Sequence, residues 1–485
     1  MPRPGLLIEE LPIWAHLNGV KFTGVKVANT EGRGYGVISE NTLTTDEDTV
    51  TLGTPTFIAV PHNLVLNAAA VDEYAKEDKN FKQLLEAAEH RSSRADILLF
   101  LLVQTALASR VNHPSHSSIG VSNPWTEYLQ LLPGTLFVPT LWHEDERLLL
   151  RGTSLEAAVS AKVSALVAEF DAIQQISSDI PCWNEVLWES GSVSLRDWIL
   201  LDALYRSRCL ELPRSGESMV PCIDMVNHSA SPTAYYDENS KDEVVLLPRP
   251  GAGLLAGDEI TISYGDTKSG AEMLFSYGFI DPTSAAESLT LVLEPFPDDP
   301  LARAKLVAFG GAPKLHVARD GSSVVWKSPF AYLMCINEED GLDFRVLQDT
   351  EGGQQLRVFW QDDDVTDRAD GFEALIQSHP LSALFQLRVV TIIQERLEVQ
   401  LGRAQSHQVA KQDPGLGDVR DECLKAAELL RQVEMGVLES GIESLEEERS
   451  SLLADKNVVA YLGLMEPAAS DLVEEEASNE VEDFS

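Results

Sequence analysis

Three short stretches carry the residue types that could do chemistry. Pro221-Cys222-Ile223-Asp224-Met225-Val226-Asn227-His228-Ser229 comes first, and Asp258-Glu259-Ile260-Thr261-Ile262-Ser263-Tyr264-Gly265 and Phe275-Ser276-Tyr277-Gly278-Phe279 follow it. Ile260, Ile262 and Tyr264 alternate after a Gly257-Asp258 turn, so they project from one strand face with Tyr264 as the polar member. A tyrosine with an ordinary pKa near ~10 is a poor base at neutral pH, which leaves alignment and electrostatics as its roles. The common catalytic signatures are absent: there is no phosphate-binding P-loop, no GxSxG and no HExxH. His113-x-x-His116 lacks the Cys or acidic neighbours of a zinc site, so no metal is expected. Gly32-x-Gly34-x-Gly36 lacks the GxGxxG spacing of a dinucleotide fold and by itself reads as a tight turn.

The elements that must hold these stretches change along the chain. Residues 20–66 read as short strands, with Val25 and Val27, Val37 and Ile38, and Phe57 to Val60 as their apolar members. From about 71 to 204 the spacing is helical, as in Ile97, Phe100, Leu101 and Leu107, then Leu155, Val159, Val163 and Leu166. Strand signals return over 205–282. Beyond 290 the expectation is loops followed by helices, with apolar stripes at Leu381, Leu384, Phe385, Ile392 and Ile393, and at Leu430, Val433, Val437 and Leu445. Gln405 to Asp418 reads as a polar connector, and 467–485, with seven acidic residues and no basic one, as a disordered tail.

The Asp-x-x-Asn-His-Ser segment, the Ile-x-Tyr-Gly strand end and the Tyr-Gly-Phe that follows occur in the order and spacing of a known family. The chain resembles the SET-domain protein methyltransferases, in the branch of the plant Rubisco large-subunit methyltransferase, the fungal ribosomal-protein and elongation-factor lysine methyltransferases and an actin histidine methyltransferase. Glu31-Gly32-Arg33-Gly34, Trp125-Thr126-Glu127-Tyr128-Leu129 and Arg151-Gly152-Thr153 are supporting matches. The resemblance implies an α+β fold, a SET-type β core split by a helical insertion and followed by a mostly helical substrate-binding lobe. The corresponding boundaries are 1–70 and 205–282 for the two parts of the core, 71–204 for the insertion, 283–466 for the lobe and 467–485 for the tail. No Cys-rich segment flanks the core, unlike many histone-directed members.

The same resemblance implies S-adenosylmethionine as cofactor and assigns the residues. The backbone at Glu31, Gly32 and Arg33 borders the cofactor, Arg208 meets its carboxylate, and Asn227 and His228 hold its adenine end, with Phe279 also on the cofactor side. Tyr264 is the catalytic tyrosine. Tyr277 and Phe279 wall a narrow lysine channel, where aromatic faces steady a cationic amine. Asp224, with Tyr235 or Tyr236, faces the substrate side chain. Plainer readings stand beside these: Tyr264 as a rim tyrosine, Tyr277 as a core aromatic, Arg208 in a helix salt bridge, His228 as a satisfied core histidine and Glu31 as a solvated side chain.

Composition narrows the partners. The 485 residues are 44% hydrophobic and 24% charged, values of a folded chain of two or three structural units. A formal charge of −40 argues against nucleic acid, whose binding draws on a basic face, and favours a basic protein substrate. Five cysteines form no CxxC pair and indicate no disulfide framework. The first residues lack the apolar core of a signal peptide, and the longest apolar run, Ile97 to Val103, is too short to span a bilayer. The expectation is a cytoplasmic or nuclear enzyme, monomer favoured, that methylates a lysine of a basic non-histone protein such as a ribosomal protein or translation factor. Histidine or histone-lysine methylation is the alternative within the family, and a non-catalytic SET-fold scaffold the alternative outside it.

Overall fold

A computed structural model describes residues 7–44, 55–89, 92–110, 121, 123–189, 191, 193–281, 287–321, 323–348, 354–407 and 419–465. His113, His116, most of the polar connector, the 282/283 boundary and the acidic tail lie outside the described residues. The chain divides into two compact units. Unit 1 comprises Met1–Leu148, Leu155–Ala285 and Asp418–Ala426, and unit 2 comprises Leu149–Ser154, Ala286–Gly417 and Ala427–Ser485.

Among the described residues, unit 1 contains twelve short strands in chain order: β1 (Lys21–Phe22), β2 (Val25–Thr30), β3 (Gly34–Ser39), β4 (Leu43–Thr44), β5 (Ile58–Pro61), β6 (Cys209–Leu212), β7 (Gly216–Met219), β8 (Asn227–His228), β9 (Ala234–Glu238), β10 (Glu243–Pro248), β11 (Gly253–Leu254) and β12 (Glu259–Ile262). They form four-stranded sheets of order β2-β3-β12-β8 and β1-β5-β10-β9, with β4–β11 and β6–β7 as two-stranded ribbons. All pairings are antiparallel except β8 with β12, which runs parallel with Thr261 opposite Asn227 and Ile262 opposite His228.

Between β5 and β6 the chain is helical, from Ala68–Glu77 to Leu195–Arg208. Within this insert, Ser93–Arg110 buries every residue from Ile97 to Val103. A helix apolar on all sides belongs inside a core, which accounts for that run without a membrane. Its neighbours bring Phe81, Trp183 and Trp198 into the same core as Val37, Ile260 and Ile262 of the sheet.

Unit 2 has its own core, from Leu289, Val317 and Phe330 through Phe385, Ile393 and Val437. The two expected apolar stripes lie on the long helices Ser382–Ser406 and Asp421–Leu453. The stretch beyond 290 differs from the expected loops: it carries two three-stranded antiparallel sheets, Ser288–Val292 with Lys314–Asp320 and Ser323–Lys327, and Leu342–Gln348 with Gln354–Trp360 and Asp363–Asp364. The segment Leu149–Ser154 is held within unit 2 by buried polar contacts. Arg431 Nη2 donates to the Leu149 and Arg151 carbonyls at 2.7 and 3.0 Å, and Glu434 accepts from the Ser154 amide at 3.0 Å.

Candidate active site

The parallel pairing of β8 with β12 joins the first two stretches. Just past β12, the Tyr264 amide donates to Nδ1 of His228 at 3.1 Å, and the Tyr264 hydroxyl donates to the Val226 carbonyl at 2.9 Å. The rings of Tyr264 and His228 stand 5.2 Å apart. Because Nδ1 accepts, the neutral imidazole carries its proton on Nε2, which faces Oδ2 of Asp281 at 3.4 Å. Burial holds the His228 pKa below its ordinary value, and Asp281 opposes that shift only in part. Burial likewise pushes the Tyr264 hydroxyl well above the usual tyrosine range, with Arg208 opposing.

A cleft of about 700 Å³ opens beside this pair, with Gly32, Arg33, Asn227, His228, Phe137 and Phe279 among its walls. The turn between β2 and β3 reaches the cleft with Arg33, which binds a carboxylate of β12. Glu259 accepts from Asn227 Nδ2 at 2.7 Å and from Arg33 Nη1 at 3.3 Å, and the same Arg33 nitrogen donates to the His228 carbonyl at 3.2 Å. Gly36 is the residue over which these groups meet. A Cβ there would stand 2.6 Å from Glu259 Oε1 and 2.7 Å from Asn227 Nδ2, so only glycine leaves the bond intact. Behind the lining residue Phe137, Arg420 clasps Glu146 with two bonds of 2.7 Å and lies 5.5 Å from the centroid of the Phe137 ring. That pairing holds the Glu146 carboxyl down at about 2.

Arg208 sits at the C-terminal end of the helix Leu195–Arg208. Its Nη1 donates to the Asp224 carbonyl at 2.8 Å and approaches the Asp224 carboxylate at 3.5 Å, while its buried Nε has no hydrogen-bond partner. A buried unpaired donor costs free energy unless a ligand satisfies it. The other carboxylate oxygen of Asp224 accepts from the Tyr128 hydroxyl at 2.5 Å, and that hydroxyl also accepts from the Cys222 amide at 2.8 Å. Burial pushes Asp224 upward, with the Arg208 guanidinium opposing. With both oxygens engaged, Asp224 supports Arg208.

A second cavity of about 340 Å³ shares Ser207, Arg208, Asp224, Tyr264 and Tyr277 with the cleft. The rings of Tyr264 and Tyr277 lie 4.5 Å apart, centroid to centroid. Tyr236 lines this cavity; Tyr235, one residue earlier on β9, lines neither space, and neither does Glu31. Cys209 is here too, but burial pushes its thiol up to about 12, so it is no thiolate nucleophile at neutral pH. Sequence reasoning passed over four residues of this site: Ser207, Glu259, Asp281 and Tyr128. Ser207 carried a signal, since it stands between the paired arginines 206 and 208, and Tyr128 lies in a stretch already singled out. Glu259 lies in one of the three chemical stretches but nothing there marked it, and Asp281 carried no signal.

No family model matches the chain. Among curated relatives, SET domain-containing protein 8 of Schizosaccharomyces pombe is 27% identical over 387 residues, spanning 78% of this chain and 82% of that one. The chloroplastic Rubisco large subunit N-methyltransferase of Nicotiana tabacum is 29% identical over 182 residues, 35% of this chain and 36% of that one. The crystal structure of the SET domain of LSMT bound to lysine and AdoHcy superposes with a TM-score of 0.65 at 20% identity, covering 96% of this chain and 98% of that one. The chain is similar to SET-domain proteins and to Rubisco large-subunit methyltransferases, and its fold is that of the LSMT SET domain. A solved structure of the same fold, Rubisco LSMT bound to AdoMet, matches with a TM-score of 0.65 at 20% identity, and the cleft of this chain has features that fit such a ligand. The unpaired Arg208 Nε–H suits an amino-acid carboxylate, and Gly32 has open space where a side chain would stand. Among the described residues no cluster of His, Cys, Asp or Glu could hold a metal ion, and no helix is long and apolar enough to cross a membrane.

Proposed function

We propose that this chain is a methyltransferase that modifies a lysine on a basic non-histone protein, a ribosomal protein or a translation factor, acting as a monomer in the cytoplasm or nucleus. The observation that carries the reading is the position of Tyr264, which together with Ser207, Arg208 and Tyr277 lines both the large cleft and the smaller cavity. Methyl transfer needs a donor on one side and a neutral amine on the other, in line and away from water, so positioning is the chief contribution. The acidity of the chain, at −40, favours a cationic partner.

When bound, S-adenosylmethionine supplies an electrophilic methyl group on a sulfonium. Arg208 takes its carboxylate, Asn227 and His228 its adenine end, and the Gly32–Arg33 backbone borders it. The Tyr264 hydroxyl stays protonated at neutral pH and is held by Val226, so it orients the reacting groups and removes no proton. A lysine entering beside Tyr277 and Tyr236 is first steadied as a cation by the aromatic faces. Its proton leaves to water, since the amine starts with a pKa near ~10.4 and attacks only when neutral.

The test is transfer of labelled methyl from S-adenosylmethionine into extract of cells lacking the protein, with wild type set against Tyr264→Phe. A labelled protein modified on lysine, and a loss of about a hundredfold or more in the variant, is the expected result. Label on histidine would move the assignment to the other nucleophile of the family. Absence of both label and cofactor binding would leave a scaffold.

A further inference from the structure

The chain carries a lysine of its own in the cavity assigned to the substrate. Lys268 lines the smaller cavity with Tyr264, Ser207 and Tyr277. Its Nζ donates to the Tyr277 hydroxyl at 3.2 Å and lies 5.3 Å from the centroid of that ring. Two features aim it there. Its stem lies against Gly265, the residue after Tyr264: a Cβ on Gly265 would stand 3.1, 3.2 and 3.3 Å from Cε, Cγ and Cδ of Lys268, and Gly265 has φ +134°. Any other residue at 265 would press on the stem, and the backbone conformation itself favours glycine. At its C-terminal side Lys268 is followed by Ser269, the cap of the helix Gly270–Tyr277, where a capping box with Glu272 fixes the chain. The backbone is thus anchored while the half-buried side chain keeps its rotamers, which exchange in picoseconds to nanoseconds for a side chain with access to solvent.

We propose that Lys268 is a self-methylation site, presented in cis to the cavity that joins the cofactor cleft at Tyr264. The inference rests on the lysine-methyltransferase reading above. An acceptor tethered a few residues from the reacting centre has a high effective concentration, so even imperfect alignment gives measurable transfer. The step balances simply. Nζ first releases a proton to water, and its lone pair then attacks the methyl carbon. The carbon–sulfur bond breaks with its electron pair remaining on sulfur, which leaves methyl-Lys268 and S-adenosylhomocysteine.

The experiment incubates the purified full-length protein with labelled S-adenosylmethionine and no other substrate, then maps the peptide containing residue 268 by mass spectrometry. Cofactor binding and labelling of extract are measured on the same preparation. The expected result is a methyl increment on Lys268 whose rate per chain is unchanged on dilution. It disappears in Lys268→Arg and falls about a hundredfold or more in Tyr264→Phe. Unmodified Lys268 from a preparation that labels extract proteins overturns the proposal and leaves the reading of the site intact. A rate that falls with dilution overturns presentation in cis, and equal labelling in Tyr264→Phe marks a non-enzymatic reaction and overturns it too. Failure of cofactor binding and of all labelling removes both the proposal and the reading beneath it.

Discussion

His228 has both ring nitrogens committed, Nδ1 accepting from the Tyr264 amide and Nε2 facing Asp281. Protonation would turn Nδ1 into a donor facing a donor. Because burial lowers the folded-state pKa, the stability contributed by the neutral ring is fully present above the unfolded value near ~6.5 and is lost as the pH falls through the lower folded value. Cofactor affinity and melting temperature should therefore both drop on the acid side of ~6.5, and His228→Gln should flatten that step in a titration by calorimetry. Much at this scale was legible from the residues themselves. Tyr264, Asn227 and His228 stand in a recognisable order, and the turn expected at Gly32-x-Gly34-x-Gly36 forms around Gly32 while Gly36 lies within strand β3. Glu259 and Asp281 were not, because their roles arise from partners more than thirty residues away in sequence, and an acid on a strand or after a helix looks the same whether or not it has such partners.

At the scale of elements, the site is a junction between a hairpin and a parallel strand pair, and the hairpin makes its contribution through the one glycine that lets Glu259 reach Asn227. Gly36→Ala should break that hydrogen bond to a charged group, at a cost of about 2 kcal/mol, and weaken S-adenosylmethionine binding by at least roughly tenfold. Isothermal titration would read it. The helix Gly270–Tyr277 presents Tyr277 and is started by the Ser269–Glu272 capping box. Ser269→Ala should cost about 1 kcal/mol, visible as a lower melting temperature, with the greater part of the loss restored when threonine is placed there instead. Helices in the insert were readable because Ser93–Arg110 and Leu155–Ser178 are long, free of Gly and Pro, and rich in apolar residues. The unit 2 strands were not: Leu342–Gln348 and Ser323–Lys327 leave Val346, Leu347 and Val325 exposed, so apolar residues stand on both faces and the two-residue alternation is blurred.

For the whole molecule, charge governs encounter with partners. At −40, long-range attraction should speed association with a basic protein and weaken as salt shortens the screening length from ~10 Å at 0.1 M toward ~3 Å at 1 M. We expect kcat/KM for such a substrate to fall steeply with ionic strength while cofactor affinity changes little, and a steady-state series in sodium chloride separates the two. Net charge and the class of partner it favours could be read directly from composition. The division into units could not, because unit 1 returns for Asp418–Ala426 after the chain has left it for more than 130 residues.

The sheet order β2-β3-β12-β8 has a consequence for how the protein is made. Val37 on β3 pairs with Ile260 on β12, more than 200 residues later in the chain. At a synthesis rate of ~5–20 residues per second, the free edge of the β2–β3 hairpin stands open on the ribosome for roughly 10–45 s before its neighbour emerges. Unpaired strand edges are templates for aggregation. The long helical insert is translated within that interval, and the nascent chain cannot assemble the proposed methyl-transfer site until the strand ending at Ile262 and the tyrosine beyond it have left the exit tunnel.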